Sequence, residues 1–308
     1  MSSFNRFKHQ LDSALDLLEN SEQIKQLDLP QVLGAQMVDT ESLLSRCTHI
    51  CDKHKQKKPT IRIIHHLACS GGTLISKCIS SLPNVYLLSE IYPFVKLPKW
   101  ETKPQFSPTD ISRLIEYSGI PNKENIQISL FKSAINITNE SVHKAGGVLI
   151  LRDHSHSDYC DDSQNSEYQN TVYSLLSEDY DIRSIATIRD PIDSYISLKK
   201  NGWVHFNPET FDEYCNRIII FLSNFERSNI FKYEDFISNP ECELEMMAKK
   251  LDITYSSEFS DIFGISKVTG DSGRSGDFIL KRERVISKND LEEMSSNENY
   301  KKIMGLIS

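Results

Sequence analysis

Short runs of apolar, mostly β-branched residues alternate with amphipathic stretches along most of this chain. Ile61, Ile63 and Ile64 read as a strand, and Leu74, Ile75, Cys78, Ile79 and Leu82 follow at helical spacing. Further strands are predicted over residues 84–88, over the buried-type run Val148–Leu151, and over the alternating segment Asp181–Ile188. Helical periodicity predicts helices over Ile111–Tyr117, Phe131–Lys144, Phe211–Phe225 and, at the surface, Leu291–Leu306. Two more follow strands, one through Ile192, Tyr195, Ile196 and Leu198, the other through Leu244, Met247, Ala248 and Leu251. Strand and helix in alternation predict an α/β domain over residues 59–308. Residues 1–58 differ, with one helical stripe from Phe4 to Leu18 and another from Leu43 to Cys51. They are expected to form an N-terminal helical extension, with packing on the core, a lid or a homodimer contact as its open roles.

The first strand ends in Cys69-Ser70-Gly71-Gly72-Thr73-Leu74, a glycine turn leading into a helix. That geometry holds anions, because first-turn N–H groups lack intrahelical partners and carry the positive end of the helix dipole. A triphosphate-binding loop continues Gly-Lys-Ser/Thr, whereas a glycine occupies the lysine position here. A second strand end carries Arg189-Asp190-Pro191, in which Asp190 is suited to cap the next helix and Pro191 to its first turn. Arg189 thus lies at the carboxyl edge of a strand, where open α/β sheets bind ligands, with the Ser197 hydroxyl two helical turns on.

Together, Ala68–Leu74 and the Arg189…Ser197 pair resemble motifs of the sulfotransferase family. Phe231-Lys232-Tyr233-Glu234-Asp235-Phe236 with Asn239-Pro240-Glu241, and the glycine-rich stretch Gly270–Asp277, continue the resemblance in the same order. The resemblance implies a three-layer, P-loop NTPase-like fold with a central parallel sheet flanked by helices. It implies 3′-phosphoadenosine 5′-phosphosulfate (PAPS) as co-substrate, and no metal. Cys69, Ser70, Gly71, Gly72, Thr73 and Leu74 would surround the 5′-phosphosulfate, Arg189 and Ser197 the 3′-phosphate, and Arg274 the closing loop. The family's loop cation aligns with Cys69, so another group must take its place; Arg152 and Arg274, both expected in loops, rank ahead of His66 and Lys77. Lys77 is expected to be a solvated helix residue. By the same resemblance, Arg152 and His154 after Val148–Leu151 occupy the positions of a catalytic lysine and a general base. Imidazole chemistry agrees with a base role, and Glu90, at the end of the strand at 84–88, is the rival base or a helper.

Net charge of −8 over 308 residues argues against bulk binding to nucleic acid or an anionic membrane. Seven scattered cysteines, with no apolar run long enough to span a bilayer, predict reduced thiols and a soluble, cytoplasmic protein. A sulfuryl acceptor of small-molecule, glycan or lipid type fits; its identity is not encoded in any motif. A small-molecule phosphotransferase on a P-loop fold is a second reading, weakened by the missing loop lysine. A non-catalytic nucleotide-binding or scaffold protein is a third, favoured by Cys69 and the helical extension.

Overall fold

Side chains on alternate faces of three central strands sort the core into layers. The computed structural model describes residues 58–95, 104–162, 169–269, 279 and 286–308. Its strands are β1 (Thr60–His66), β2 (Val85–Ile91), β3 (Val148–Asp153), β4 (Asp181–Ile188) and β5 (Ile230–Lys232). All pair in parallel, in the order β2-β3-β1-β4-β5. The central β1 sets Ile64 beside Arg152 of β3 and Ile185 of β4.

Ile64, Ile150 and Ile185 face helix α1 (Gly72–Ser80), through Leu74, Ile75, Cys78 and Ile79. On the other face, Ile61, Ile63, Leu149 and Leu151 pack through Ile135 with the second, longer one of two helices between β2 and β3. These two helices are α3 (Lys123–Lys144) and, preceding it, α2 (Ile111–Ser118). The period of two in a strand produces this division, and it gives the three layers expected from the sequence. After β3 come the short helices α4 (His156–Tyr159) and α5 (Thr171–Leu176). Helix α6 (Pro191–Asn201) follows β4, and then α7 (Phe211–Leu222). Beyond β5 run α8 (Tyr233–Ser238), α9 (Pro240–Leu251) and α10 (Phe259–Ile262). The chain closes with α11 (Lys288–Ser296) and α12 (Glu298–Ile307).

Three local outcomes differ from the periodicity. Helix α3 starts at Lys123, earlier than expected, because its polar first turns carry little apolar signal. Helix α5 is too short to show a period; the Asn170 side chain caps it by accepting from Tyr173 N at 2.9 Å. The last helix is two helices, broken where the Asn297 side chain accepts from Tyr300 N at 2.9 Å. Ile303 and Ile307 are buried, so this hairpin completes a core with α6 and α7 instead of lying on the surface. The expected helical extension lies outside the described residues, apart from Lys58. No helix among the described residues is long and apolar enough to cross a membrane.

A buried guanidinium fastens α7 to the end of α4. Arg217 donates to Glu213 Oε1 at 2.7 Å, Asp162 Oδ1 at 2.6 Å and Tyr159 O at 3.1 Å, and lies 4.8 Å over the Phe206 ring. Arg217→Ala should destabilise the fold by about 3 kcal/mol, read as a lower urea midpoint. Arg217→Lys should recover only part of this, since an ammonium lacks the planar fork. An unchanged midpoint in both variants would refute this account.

Candidate active site

The turn between β1 and α1 is closed by its own serine. Ser70 Oγ donates to Leu67 O at 2.7 Å, and Ser70 is buried. Gly71 sits at the cap of α1 with φ +84° and offers no side-chain acceptor to the first-turn amides. Both glycines are required by packing. A Cβ on Gly71 would come within 2.1 Å of the Tyr233 ring, and one on Gly72 within 2.3 Å of the His66 ring. Cys69 takes a left-handed conformation (φ 65°), and its Sγ accepts from Asn201 Nδ2 at 3.5 Å, at the far end of α6. Its side chain therefore packs toward that helix and brings no charge to the loop. The Leu74 side chain belongs to the core.

The cation of this site comes from β3. Sequence placed Arg152 in a loop, but it lies within the strand and is 2% exposed. Its fork reaches His66 Nε2 (2.8 Å), Thr73 Oγ1 (3.0 Å), Ser89 Oγ (2.9 Å) and Thr269 O (3.0 Å). It also pairs with Glu90 Oε1 at 2.8 Å. A charged residue is tolerated in this strand because the partners surround it. Glu90 stands at an irregularity in β2, where the register shifts between Leu88 and Ile91 and Glu90 adopts φ 58°. Such a kink re-aims the side chain. Glu90 Oε2 then lies 2.5 Å from His154 Nδ1.

The protonation pattern follows from these contacts. Burial by itself would raise the Glu90 carboxyl, but the His154 hydrogen bond, the contact with His66 and the Arg152 charge outweigh it. The carboxyl is held well below its usual range. Ionised Glu90 must accept, so His154 Nδ1 donates to it; in the neutral form of the ring, Nε2 is then the nitrogen with the lone pair. Burial, reinforced by Arg152, lowers His66 to about 4 despite Glu90. Neutral His66 therefore receives the Arg152 hydrogen bond on Nε2. His156 does not share the His154 site. It is buried behind the loop, with Ala68 N donating to its Nδ1 at 3.4 Å, and burial lowers it to about 3.

Arg189 approaches the same loop from β4. Asp190 caps α6 as expected, accepting from Ile192 N at 2.9 Å, with Pro191 in the first turn. Glu234 accepts from Asp190 N at 3.0 Å and so joins this turn to α8. The Arg189 guanidinium lies 5.4 Å over the Tyr233 ring and 3.5 Å from Asp193. Since that ring presses on Gly71, Tyr233 stands between the two strand ends. Ser70 and Arg189 also line one small half-open cavity with Thr187, Ser194 and Tyr214. Arg189 Nε is buried there and has no hydrogen-bond partner among the described residues. Ser194, rather than Ser197, lines that cavity; Ser197 is half-buried one helical turn further along.

Some sequence readings change. Lys77, expected to be solvated, is 6% exposed. The helical period fixes which face a residue occupies but does not reveal that this face is covered by neighbouring segments. The linking role of Tyr233 was missed, although its position directly after a strand, like that of Arg189, was a usable signal. Arg274 lies outside the described residues.

No protein-family model matches this chain, and no curated protein matches it. Among solved structures it is similar to the sulfotransferase domain of the Synechococcus olefin synthase, with 14% identity and a TM-score of 0.46 over 79% of this chain and 96% of that one. The sulfotransferase domain from the curacin biosynthetic pathway is similar at 15% identity and a TM-score of 0.47, over 81% of this chain and 98% of that one. Mouse sulfotransferase SULT7A1, solved with PAP, is similar at 13% identity and a TM-score of 0.39, over 81% of this chain and 83% of that one.

Acid should destabilise the site in a defined order. His66 and His156 have folded pKa values of about 4 and about 3, below the ordinary imidazole range, so the unfolded chain takes up protons first. Their stabilising contribution is present above about pH 6.5 and is lost as the pH falls toward those values. Glu90 acts in the same sense at lower pH. Asp158 opposes them: burial and Asp153 raise it to about 6, so its contribution is present at low pH and lost as the pH rises through that value. The melting temperature should fall between about pH 6.5 and 4, and His156→Gln should make that slope shallower. A slope that His156→Gln leaves unaltered would contradict neutral burial of this ring.

Proposed function

We propose that this chain transfers a sulfuryl group from PAPS to the hydroxyl or amine of a small-molecule, glycan or lipid acceptor. The observation that carries the reading is Tyr233, wedged between Gly71 and Arg189. It brings an anion-binding turn and a guanidinium into one cleft, as a donor with phosphate groups at both ends of an adenosine requires. The residues fit that donor. The glycine turn presents the amino end of α1, and the buried Arg189 Nε, which lines a cavity with Ser70, has no hydrogen-bond partner among the described residues. The sequence motifs that resemble the sulfotransferase family lie at these same two places.

PAPS supplies the activated sulfuryl group and its phosphate leaving group. The protein supplies orientation, positive potential and a proton acceptor. Arg189 holds the 3′-phosphate, which separates this donor from ATP, and the turn from Ser70 to Thr73 holds the other end. Arg152 replaces the missing loop cation from beneath, its charge reaching the turn through Thr73. His154 accepts the acceptor's proton on Nε2, and Glu90 orients the imidazole through Nδ1. This assigns the two rival bases to one pair, in which histidine is the base and the carboxylate stabilises the imidazolium that forms. A lysine-dependent phosphotransferase finds no counterpart here, because the position after Gly71 is glycine.

Two measurements test the reading. Arg189→Ala should weaken binding of 3′-phosphoadenosine 5′-phosphate (PAP) by about thirtyfold while barely changing that of adenosine 5′-phosphate, as titration calorimetry would report. Equal losses for both ligands would remove Arg189 from the 3′-phosphate. His154→Ala should abolish transfer from labelled PAPS with PAP affinity intact, whereas Glu90→Gln should leave a residual rate about a hundredfold down. Full turnover in His154→Ala would overturn the base assignment.

A further inference from the structure

The His154 side chain is 42% exposed, so burial does not fix its ring. The hydrogen bond to Glu90 orients the ring through one nitrogen, and a contact against the ring itself would narrow its orientation further. A base needs its lone pair aimed, so a second contact that narrows the plane of the imidazole bears on the chemical step.

Tyr92 stands where that restraint is needed. It directly follows β2, and its ring meets the His154 ring edge to face, at 6.5 Å and 75° between planes. Phe94 supports Tyr92 at 6.0 Å and again 75°. The Tyr92 hydroxyl donates to Asp158 Oδ1 at 3.1 Å. Asp158 is buried and is itself held by Thr171, which donates from its backbone N at 2.9 Å and from Oγ1 at 2.7 Å. The backbone completes the frame, with His154 N donating to Ile91 O at 3.2 Å.

We propose that Tyr92, anchored through Asp158 to the start of α5, is a positioning residue that sets the plane of the His154 imidazole. The inference rests on His154 being the base of the proposed reaction. Tyr92 takes no proton from the acceptor in this scheme; its hydroxyl is engaged with Asp158. Its removal therefore affects the chemical step and leaves nucleotide affinity alone.

The experiment uses the full chain labelled with ¹⁵N and follows the Nδ1–H proton of His154 by NMR, assigned through its loss in His154→Ala. Tyr92→Phe keeps the ring but releases the anchor, and should speed exchange of that proton about tenfold, with PAP affinity and melting temperature essentially unchanged. Asp158→Ala, which removes the acceptor, should likewise speed the exchange, and the double variant should add little to either single change. Unaltered exchange in both single variants would overturn the proposal. Faster exchange accompanied by weaker PAP binding and a lower melting temperature would also overturn it, since that pattern reports general loosening. The signal is read without any acceptor, so failure of the wild type to bind PAP would count against the sulfotransferase reading while leaving the positioning result to stand on its own.

Discussion

A guanidinium removed from water costs several kcal/mol unless hydrogen bonds and an opposite charge meet it, and Arg152 is almost wholly enclosed. Its partners come from four separate places: His66 on β1, Thr73 on α1, Ser89 and Glu90 on β2, and Thr269 beyond α10. Satisfying that one charge therefore dictates much of the local architecture. It requires the irregularity that turns Glu90 inward, it fixes His66 as a neutral acceptor, and it draws Thr269 against the end of β2. The Glu90 carboxylate that balances Arg152 is also the group that holds His154. Structure and proposed chemistry thus depend on the same ion pair.

The residue after Arg152 does the equivalent task on the opposite face. Asp153 bonds His65 Nδ1 at 3.0 Å and accepts from Ser155 Oγ at 2.7 Å, all three side chains being buried. Because side chains alternate along a strand, two consecutive charged residues secure both layers at the carboxyl edge of β3. His154 then leaves the sheet from a backbone restrained on each side. Apolar contacts alone would position it less narrowly, since they carry little directional information.

Local signals in the sequence were sufficient for much of this. Glycines after a β-branched run marked the turn, and Asp190-Pro191 marked the start of α6, because caps and turns depend on neighbours in the chain. The resemblance also named Arg152, His154 and Glu90, but as separate candidates. Their union depends on register across three strands, which no single segment specifies. For the same reason Arg152 was expected in a loop, since a charge reads as solvated until partners from other strands are known. Lys77 and the α11–α12 hairpin were misjudged in the same way, by tertiary cover that periodicity does not record. Cys69 shows the converse: its loss of charge was visible at once, whereas its attachment to Asn201 was not.

The turn from Ser70 to Thr73 is gripped by an aromatic ring on one side and an imidazole on the other, both closer than any added carbon would permit. A clamp of this kind shapes recognition before any ligand arrives. In the proposed reaction little chain entropy would remain to be surrendered on association, so the affinity of the donor would be set by its fit to amides already in place.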